Sequence, residues 1–334
     1  KLTSVSVNGA TAAPVVRAWS NHFKQKGWSS MTLFDYVCDE PPLTCQWSDV
    51  PGRISQVRAG DSNMPTLVTT TTWDSQSHGV SGIDLFVPVI NYVEGKPGSA
   101  QAGSQRAKFG ANTWWYQSCM SFGCSGVGGG LDGSGETGWP TYAVDSDATR
   151  NRAMEWMSFT YDMTGELYYE VTMSYFNGDP WVSQSAFGGT GDGTLFYPGT
   201  PAKIGGQTEI PVESLRLKGI RDGMEDYELM NLAKTLGVGA QAKAIAAGLF
   251  PKTYQATTSA AAVDSARAEV AALILHALGK DVQNSCGTTA CSTDPVVTTP
   301  NANSSGGCST TGMQSLWLAV PVLALFVFRR RRTA

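Results

Sequence analysis

The sequence predicts an α/β protein built on a parallel sheet, and three observations carry that prediction. Short apolar runs alternate with longer stretches of helical period, the mark of βα units. One of those runs, residues 83–88, is almost continuously apolar, as in a strand covered on both faces. Residues able to do chemistry recur just after the runs, where parallel βα architectures place their functional groups. The 334 residues hold 42% apolar side chains, with 10 Trp, 11 Tyr and 12 Phe, ample for a core. Charged residues make up only 16%, and the net charge of −4 argues against a nucleic-acid binder, so no nucleic-acid partner is expected.

The elements follow in order. Residues 14–26 place Val15, Val16, Trp19 and Phe23 at helical spacing, and Gly27 stops the helix. Residues 31–37 read as a strand that runs into Asp39 and Glu40 and is ended by Pro41 and Pro42, which offer no N–H to a ladder. A short helix is expected at 54–59, a strand at 66–70, another at 83–88, a helix at 101–109 and a strand at 113–117. The glycine-rich stretch 123–138 has no Gly-Lys-Ser/Thr and reads as a surface loop. A helix at 147–164, a strand at 167–173, turns around a short extended run at 191–199, a long helix at 211–236 interrupted near Gly223, and an Ala-rich helix at 263–278 complete the folded part. Five strands are counted where a closed (β/α)8 barrel needs eight. With the Asp-Glu strand as the fourth, the first three would lie upstream of Lys1.

Three modules are expected: residues 1–282 folded, 283–307 a disordered Ser/Thr/Asn/Gly linker, and 308–334 a C-terminal anchor. The linker is too polar to bury anything. The anchor has an apolar run at 316–328 followed by four arginines, Arg329–Arg332, which would stay cytoplasmic if the segment crosses a membrane. An exported protein held at the cell envelope or surface is the expectation. Six of seven cysteines form close pairs, Cys38/Cys45, Cys119/Cys124 and Cys286/Cys291, without zinc or thioredoxin spacing, and read as local disulfides. Cys308 stands alone. His22, His78 and His276 are scattered without ligand spacing, so no metal or cofactor is expected.

Asp39 and Glu40 are the candidate catalytic residues. Like charges in close quarters push one another's pKa apart, which acid/base chemistry on a glycosidic bond exploits. Most glycosidases set their two carboxylates on opposite sides of that bond, which adjacent residues do not easily do. A substrate-assisted route suits a sequential pair: the substrate's own 2-acetamido group attacks the anomeric carbon, one carboxylate orients it, and the neighbour protonates the leaving oxygen. Trp73, Asn91, Tyr92, Trp115 and Tyr116 fall at or after strand ends and are candidate glycan-binding residues, with Trp114 a further stacking candidate. Arg216, Arg221, Asp222, Glu225 and Asp226 form a charged cluster, and the i,i+4 spacing of Arg221 and Glu225 fits salt bridges along a helix.

The stretch Tyr36-Val37-Cys38-Asp39-Glu40-Pro41 resembles the Y-x-x-D-E-P element of glycoside hydrolase family 123. Residues 191–199 together with 214–228 (SLRLKGIRDGMEDYE) are similar to that group's most recognisable block. The resemblance covers roughly residues 15–279. It implies a (β/α)8 barrel and β-N-acetylgalactosaminidase activity on a glycan or glycoconjugate, with Asp39 orienting the acetamido group and Glu40 as general acid/base. It also implies a tyrosine on the acetamido carbonyl, with Tyr92 and Tyr116 both open for the role. The alternatives are the same barrel acting on another sugar, or a non-catalytic carbohydrate-binding envelope protein. The tail, with Gly307-Cys308, its apolar run and its Arg cluster, resembles the C-terminal sorting signals of myxobacterial type, which implies processing or attachment at Cys308.

Overall fold

The computed structural model describes residues 4–7, 12–118, 138–144, 146–186 and 189–280. Its centre is a set of parallel strands laid side by side in chain order. They are β1 (Ser4–Ser6), β2 (Thr32–Cys38), β3 (Thr66–Val68), β4 (Leu85–Phe86), β5 (Trp114–Trp115) and β6 (Gly165–Glu166). Register runs from Ser6 opposite Phe34, through Tyr36 opposite Leu67, to Leu67 opposite Leu85. Single parallel bridges, Phe86 to Thr113 and Val89 to Tyr116, join β4 to β5, and Trp114 lies opposite Gly165 across β5 and β6. Four of the five expected strands therefore belong to a parallel array, and the fifth is displaced from 167–173 to 165–166, with one further correction in number. Ser4–Ser6 adds a sixth, too short and polar for apolar alternation to register.

Period-2 alternation sorts the strand side chains into two layers. Phe34, Leu67, Leu85, Val87 and Tyr116 pack together on one face, with Tyr36, Trp114 and Leu167 against them. On the other face Val37 and Val68 meet helix α1 (Ala13–Gln25) through Val16, and α2 (Val50–Gly60) through Val50, Ile54 and Val57. α1 carries Pro14 in its first turn and ends before Gly27, whose φ of 67° is the left-handed stop that only glycine adopts cheaply. After β3 and β4 come two short helices, α3 (Thr72–Ser77) and α4 (Ile90–Val93).

The third and largest core is helical. α5 (Ala153–Thr160) precedes β6. After it an antiparallel hairpin, β7 (Phe196–Gly199) with β8 (Ile210–Glu213), leads into α6 (Leu215–Thr235), α7 (Gly239–Leu249) and α8 (Ala260–Ala277). Met154, Trp156 and Met157 of α5 pack with Met230 of α6, Ala246 of α7, Phe250 just past its end, and Val270 of α8. Ser214 caps α6 by accepting from the Leu217 N–H at 3.1 Å.

Several expected elements need correction. Residues 101–109 are not a helix: Gly103–Ser104 pairs with Glu94–Gly95, and only a 3-10 turn, Arg106–Lys108, follows. The expected helix at 147–164 begins as a 3-10 turn and ends at Thr160, with Asp162 at a φ of 52°. The last strand lies at 165–166, because beyond Leu167 the backbone pairs with the 191–196 region instead: Leu195 N–H donates to Val171 O at 2.8 Å. Gly223 does not interrupt α6. A Cβ there would lie 2.5 Å from Glu155 Oε2, so the glycine lets α6 close onto α5. α7 had no expected counterpart, since its Ala-rich sequence carries little periodic contrast. Among the described residues no helix is long and apolar enough to cross a membrane. The linker 283–307, the anchor 308–334, Cys308 and the pairs Cys119/Cys124 and Cys286/Cys291 lie outside the described residues, as does the glycine-rich stretch up to residue 137.

Candidate active site

β2 ends at Cys38, and Asp39 and Glu40 follow it directly. Beyond them the chain turns sharply: Leu43 N–H donates to Glu40 O at 2.7 Å, the Thr44 hydroxyl donates to Asp39 O, and a Cys38–Cys45 disulfide closes the loop with its Cα atoms 6.0 Å apart. Glu40 takes a φ of 42°. That left-handed conformation costs a non-glycine residue about 1–2 kcal/mol and persists only where its surroundings hold it. Here the hold comes from Thr69, just past β3, whose hydroxyl oxygen accepts from Glu40 N–H at 2.6 Å.

The two carboxylates have different partners. Asp39 Oδ1 accepts from the Tyr36 hydroxyl at 2.5 Å and from the Thr69 hydroxyl at 2.8 Å. Glu40 Oε1 accepts from the Tyr116 hydroxyl. Tyr36 comes from β2 and Tyr116 from the end of β5, so three strands converge on adjacent acids. Burial, then the neighbouring carboxylate, pushes both phenols far above their ordinary range, Asp39 acting on Tyr36 and Glu40 on Tyr116. They therefore remain protonated donors at any ordinary pH. The site thus holds one acid fixed by two hydroxyls and a second acid beside it on a single phenol.

Of the expected residues, the structure brings Asp39, Glu40 and Tyr116 together. Asn91 lies on the same strand ends: Ile90 N–H donates to Tyr116 O at 2.8 Å, and Asn91 Oδ1 is buried with no hydrogen-bond partner among the described residues. The neighbouring Gln117 Oε1 is in the same state. Buried acceptors left open in this way cost about 1–3 kcal/mol each, so they are natural points for a ligand donor. Trp73 and Tyr92 pair with each other, ring centroids 6.4 Å apart, and Trp73 also rests on Phe109 under the Lys108 ammonium. Between the two tyrosines left open by sequence, the hydroxyl on Glu40 belongs to Tyr116. Trp115 needs correction. It is fully buried on the helix-facing side of β5, its indole N–H donating to Ser158 Oγ at 2.9 Å, and it has no face for a sugar. Trp114 lies in the inner layer against Phe34.

Sequence reasoning missed Tyr36 and Thr69. Tyr36 had a signal: alternation puts it on the same face as Phe34, inside the layer that ends at the acids. Thr69 had none, because only the β2–β3 register sets it beside Asp39.

The charged cluster of the second block is structural. Buried Asp226 accepts from Arg152 at 2.5 and 2.9 Å, from the Trp156 indole at 2.7 Å, and faces Arg267 at 2.9 Å. Buried Arg216 donates to Tyr142 O at 2.9 Å, to Thr194 O at 2.5 Å and to Gly191 O, tying three segments to the start of α6. Arg221 is exposed and pairs with Asp222 at 2.8 Å and Glu225 at 3.8 Å. His78 stacks flat on Trp47, centroids 4.5 Å apart, in the loops beside the disulfide.

Comparison with known families gives one match: residues 8–233 fit the glycoside hydrolase 123 catalytic domain. No curated protein matches the chain.

Proposed function

This chain belongs to glycoside hydrolase family 123, and on that premise we propose that it removes terminal N-acetylhexosamine, β-N-acetylgalactosamine foremost, by substrate-assisted hydrolysis with retention. The observation that supports this reading most is the unequal holding of the adjacent acids. Asp39 is oriented by Tyr36 and Thr69 through Oδ1, so that Oδ2 meets the acetamido N–H of a bound sugar. The acetamido oxygen attacks the anomeric carbon as the glycosidic C–O bond breaks. Glu40 gives its proton to the leaving oxygen. Water then opens the cyclic intermediate from the face the leaving group vacated, opposite the acetamido oxygen, its proton passing to Glu40, which restores both the acid and the anomeric configuration. Tyr116 holds Glu40 before substrate arrives, and it is the phenol this reading assigns to the acetamido carbonyl.

The six consecutive parallel strands are, on this reading, part of an eight-stranded (β/α)8 barrel with the acids at its C-terminal rim. Export to the cell envelope, with the 308–334 segment as attachment and Cys308 as its processed residue, is part of the proposal. The Cys38–Cys45 disulfide supports an oxidising destination.

A panel of aryl glycosides with and without a 2-acetamido group tests the substrate. Turnover confined to 2-acetamido sugars, with the galacto epimer preferred, is expected. Equal turnover of the 2-hydroxy glycosides would replace substrate assistance with another mechanism, and glycan binding without any turnover would make this a binding protein.

A further inference from the structure

A run of threonines, Thr69 to Thr72, follows β3, and its members do different work. Thr71 caps α3 by accepting from the Asp74 N–H at 3.1 Å, and the Thr72 hydroxyl donates to Lys108 O at 3.1 Å. Thr69, buried, turns instead to the acids. Its place beside them is set by a break in register. Tyr36 lies opposite Leu67, yet Cys38 lies opposite Val68, so β2 uses one residue more than β3 over that step. A bulge of this kind re-aims the side chains that follow it. Counted on from Val68, Asp39 faces Thr69; without the bulge it would face Thr70. The Thr69 N–H donates to Cys38 O at 3.4 Å, which continues that alignment past the strand end.

The bonds at the Thr69 hydroxyl follow from simple accounting. A hydroxyl has one proton to give and two lone pairs to receive with. The Glu40 N–H, at 2.6 Å, only donates, so it occupies one lone pair. The Tyr36 hydroxyl lies 3.2 Å from Thr69 but 2.5 Å from Asp39 Oδ1, so its proton goes to the carboxylate. The Thr69 proton is then left for Asp39 Oδ1 at 2.8 Å. With both hydroxyl protons on Oδ1, Oδ2 is the oxygen left for a ligand. Tyr36 bonds the carboxylate of one acid and Tyr116 that of the other. Thr69 bonds both acids at once, Asp39 by its side chain and Glu40 by its main chain. The second bond bears on conformation, because Glu40 at a φ of 42° stays left-handed only while its surroundings hold it. A return to an ordinary φ would swing its carboxyl away from its place beside Asp39.

We propose that Thr69 is the positioning residue that divides the work between the two acids. Through one hydroxyl it turns Asp39 Oδ2 to the acetamido N–H and holds Glu40 in the conformation that aims its carboxyl at the leaving oxygen. This rests on the glycosidase reading above, and the measurements that follow separate the two.

Thr69→Val keeps the shape and removes the hydroxyl, while Thr69→Ser keeps the hydroxyl. Both are made in the full chain, with Tyr36→Phe for comparison. For each, kcat and KM are measured on phenyl and dinitrophenyl N-acetylgalactosaminides, a poor and a good leaving group. On the good one, which departs without a proton, Thr69→Val should lower kcat roughly tenfold, the worth of a hydrogen bond to a charged group. On the poor one the loss should reach at least roughly 10²-fold, because the general acid is displaced as well. KM should hardly move, as expected when the lost interaction is made in the transition state. Tyr36→Phe, acting through Asp39, should lower both substrates by the same factor, and Thr69→Ser should recover most of both losses. Misfolding of a variant would reduce the active fraction and so lower both substrates equally, leaving their ratio unchanged. An equal fall on the two leaving groups in Thr69→Val, no fall at all, or no recovery in Thr69→Ser would each overturn the positioning role. Turnover by the unaltered chain with any of those results leaves the glycosidase and removes Thr69 from it. No turnover of either substrate by the unaltered chain overturns both.

Discussion

Two pairs of acids in this protein invite comparison. Asp39 and Glu40 are neighbours in sequence, sit at the end of a strand, and accept hydrogen bonds from hydroxyls of three strands. Glu155 and Glu166 are eleven residues apart and come together between α5 and β6. Glu166 accepts from the Tyr142 hydroxyl, and both oxygens of Glu155 are buried without a hydrogen-bond partner among the described residues. Burial is the main cause that pushes both of the latter up, Glu166 to about 7 and Glu155 well above its ordinary value, with each other's proximity adding to it for Glu155. One pair is the proposed proton-exchanging pair at a strand end. The other is shifted toward its neutral form because burial strips an ionised carboxylate of water. Two acids together thus define no function until it is known whether anything can reach them.

The largest way to break this comparison is at the strand end. Glu40→Gln should lower kcat on aryl N-acetylgalactosaminides with poor leaving groups by roughly 10²–10⁴-fold, the usual worth of a general acid, without changing the melting temperature. Asp39→Asn should impair the acetamido step. Wild-type turnover in both variants would end the catalytic assignment. The opposite behaviour is expected of Asp226, whose loss strands the largely buried Arg152 and takes one of two acidic partners from the half-exposed Arg267. Asp226→Ala should cost about 3–5 kcal/mol of stability in urea unfolding, and a loss below 1 kcal/mol would contradict the structural role given to it.

The buried pair makes a prediction of sign. A group raised in the folded state contributes stability that is fully present below its unfolded pKa and disappears as pH climbs through the folded one. For Glu166 that window runs from 4.5 to about 7, and for the buried Asp35 and Asp192 from 3.8 to about 6. The melting temperature should therefore fall between about pH 4 and pH 7. Tyr142, Asp226 and Arg152 face the glutamates: the Tyr142 hydrogen bond favours ionised Glu166 and Arg152 favours ionised Glu155, while Asp226 opposes it. Glu155→Gln keeps the shape and removes one titration, so it should flatten the slope by a few degrees; parallel pH profiles for the two proteins would place the sensitivity elsewhere.

Smaller effects refine the picture. Gly223→Ala pushes a methyl into Glu155 and should cost about 1–3 kcal/mol, relieved when combined with Glu155→Ala. Near-additive losses in that double variant would mean the two sites do not touch. Least of all, reduction of Cys38–Cys45 should lower activity before the fold melts, since the bridge ties the loop just beyond the acids. Unchanged kinetics after its selective reduction would show that the turn at Glu40 stands without it.

By itself the sequence determined the parallel βα order, the acids at a strand end and the disulfide beside them. All three depend on local rules: side-chain alternation, prolines that end a ladder, and cysteines close enough to meet. It also carried the family block, although not its meaning, since only packing shows Gly223 against Glu155 and Asp226 among two arginines and an indole. Tertiary structure alone decided which side chains serve the acids. Thr69 reaches Asp39 through strand register, and Tyr116 reaches Glu40 across the sheet. It also turned Trp115 inward while leaving Trp181 open, though an isolated tryptophan reads alike in both places. Burial and long-range hydrogen bonding depend on what lies opposite in space, and that is set only once distant parts of the chain have packed together.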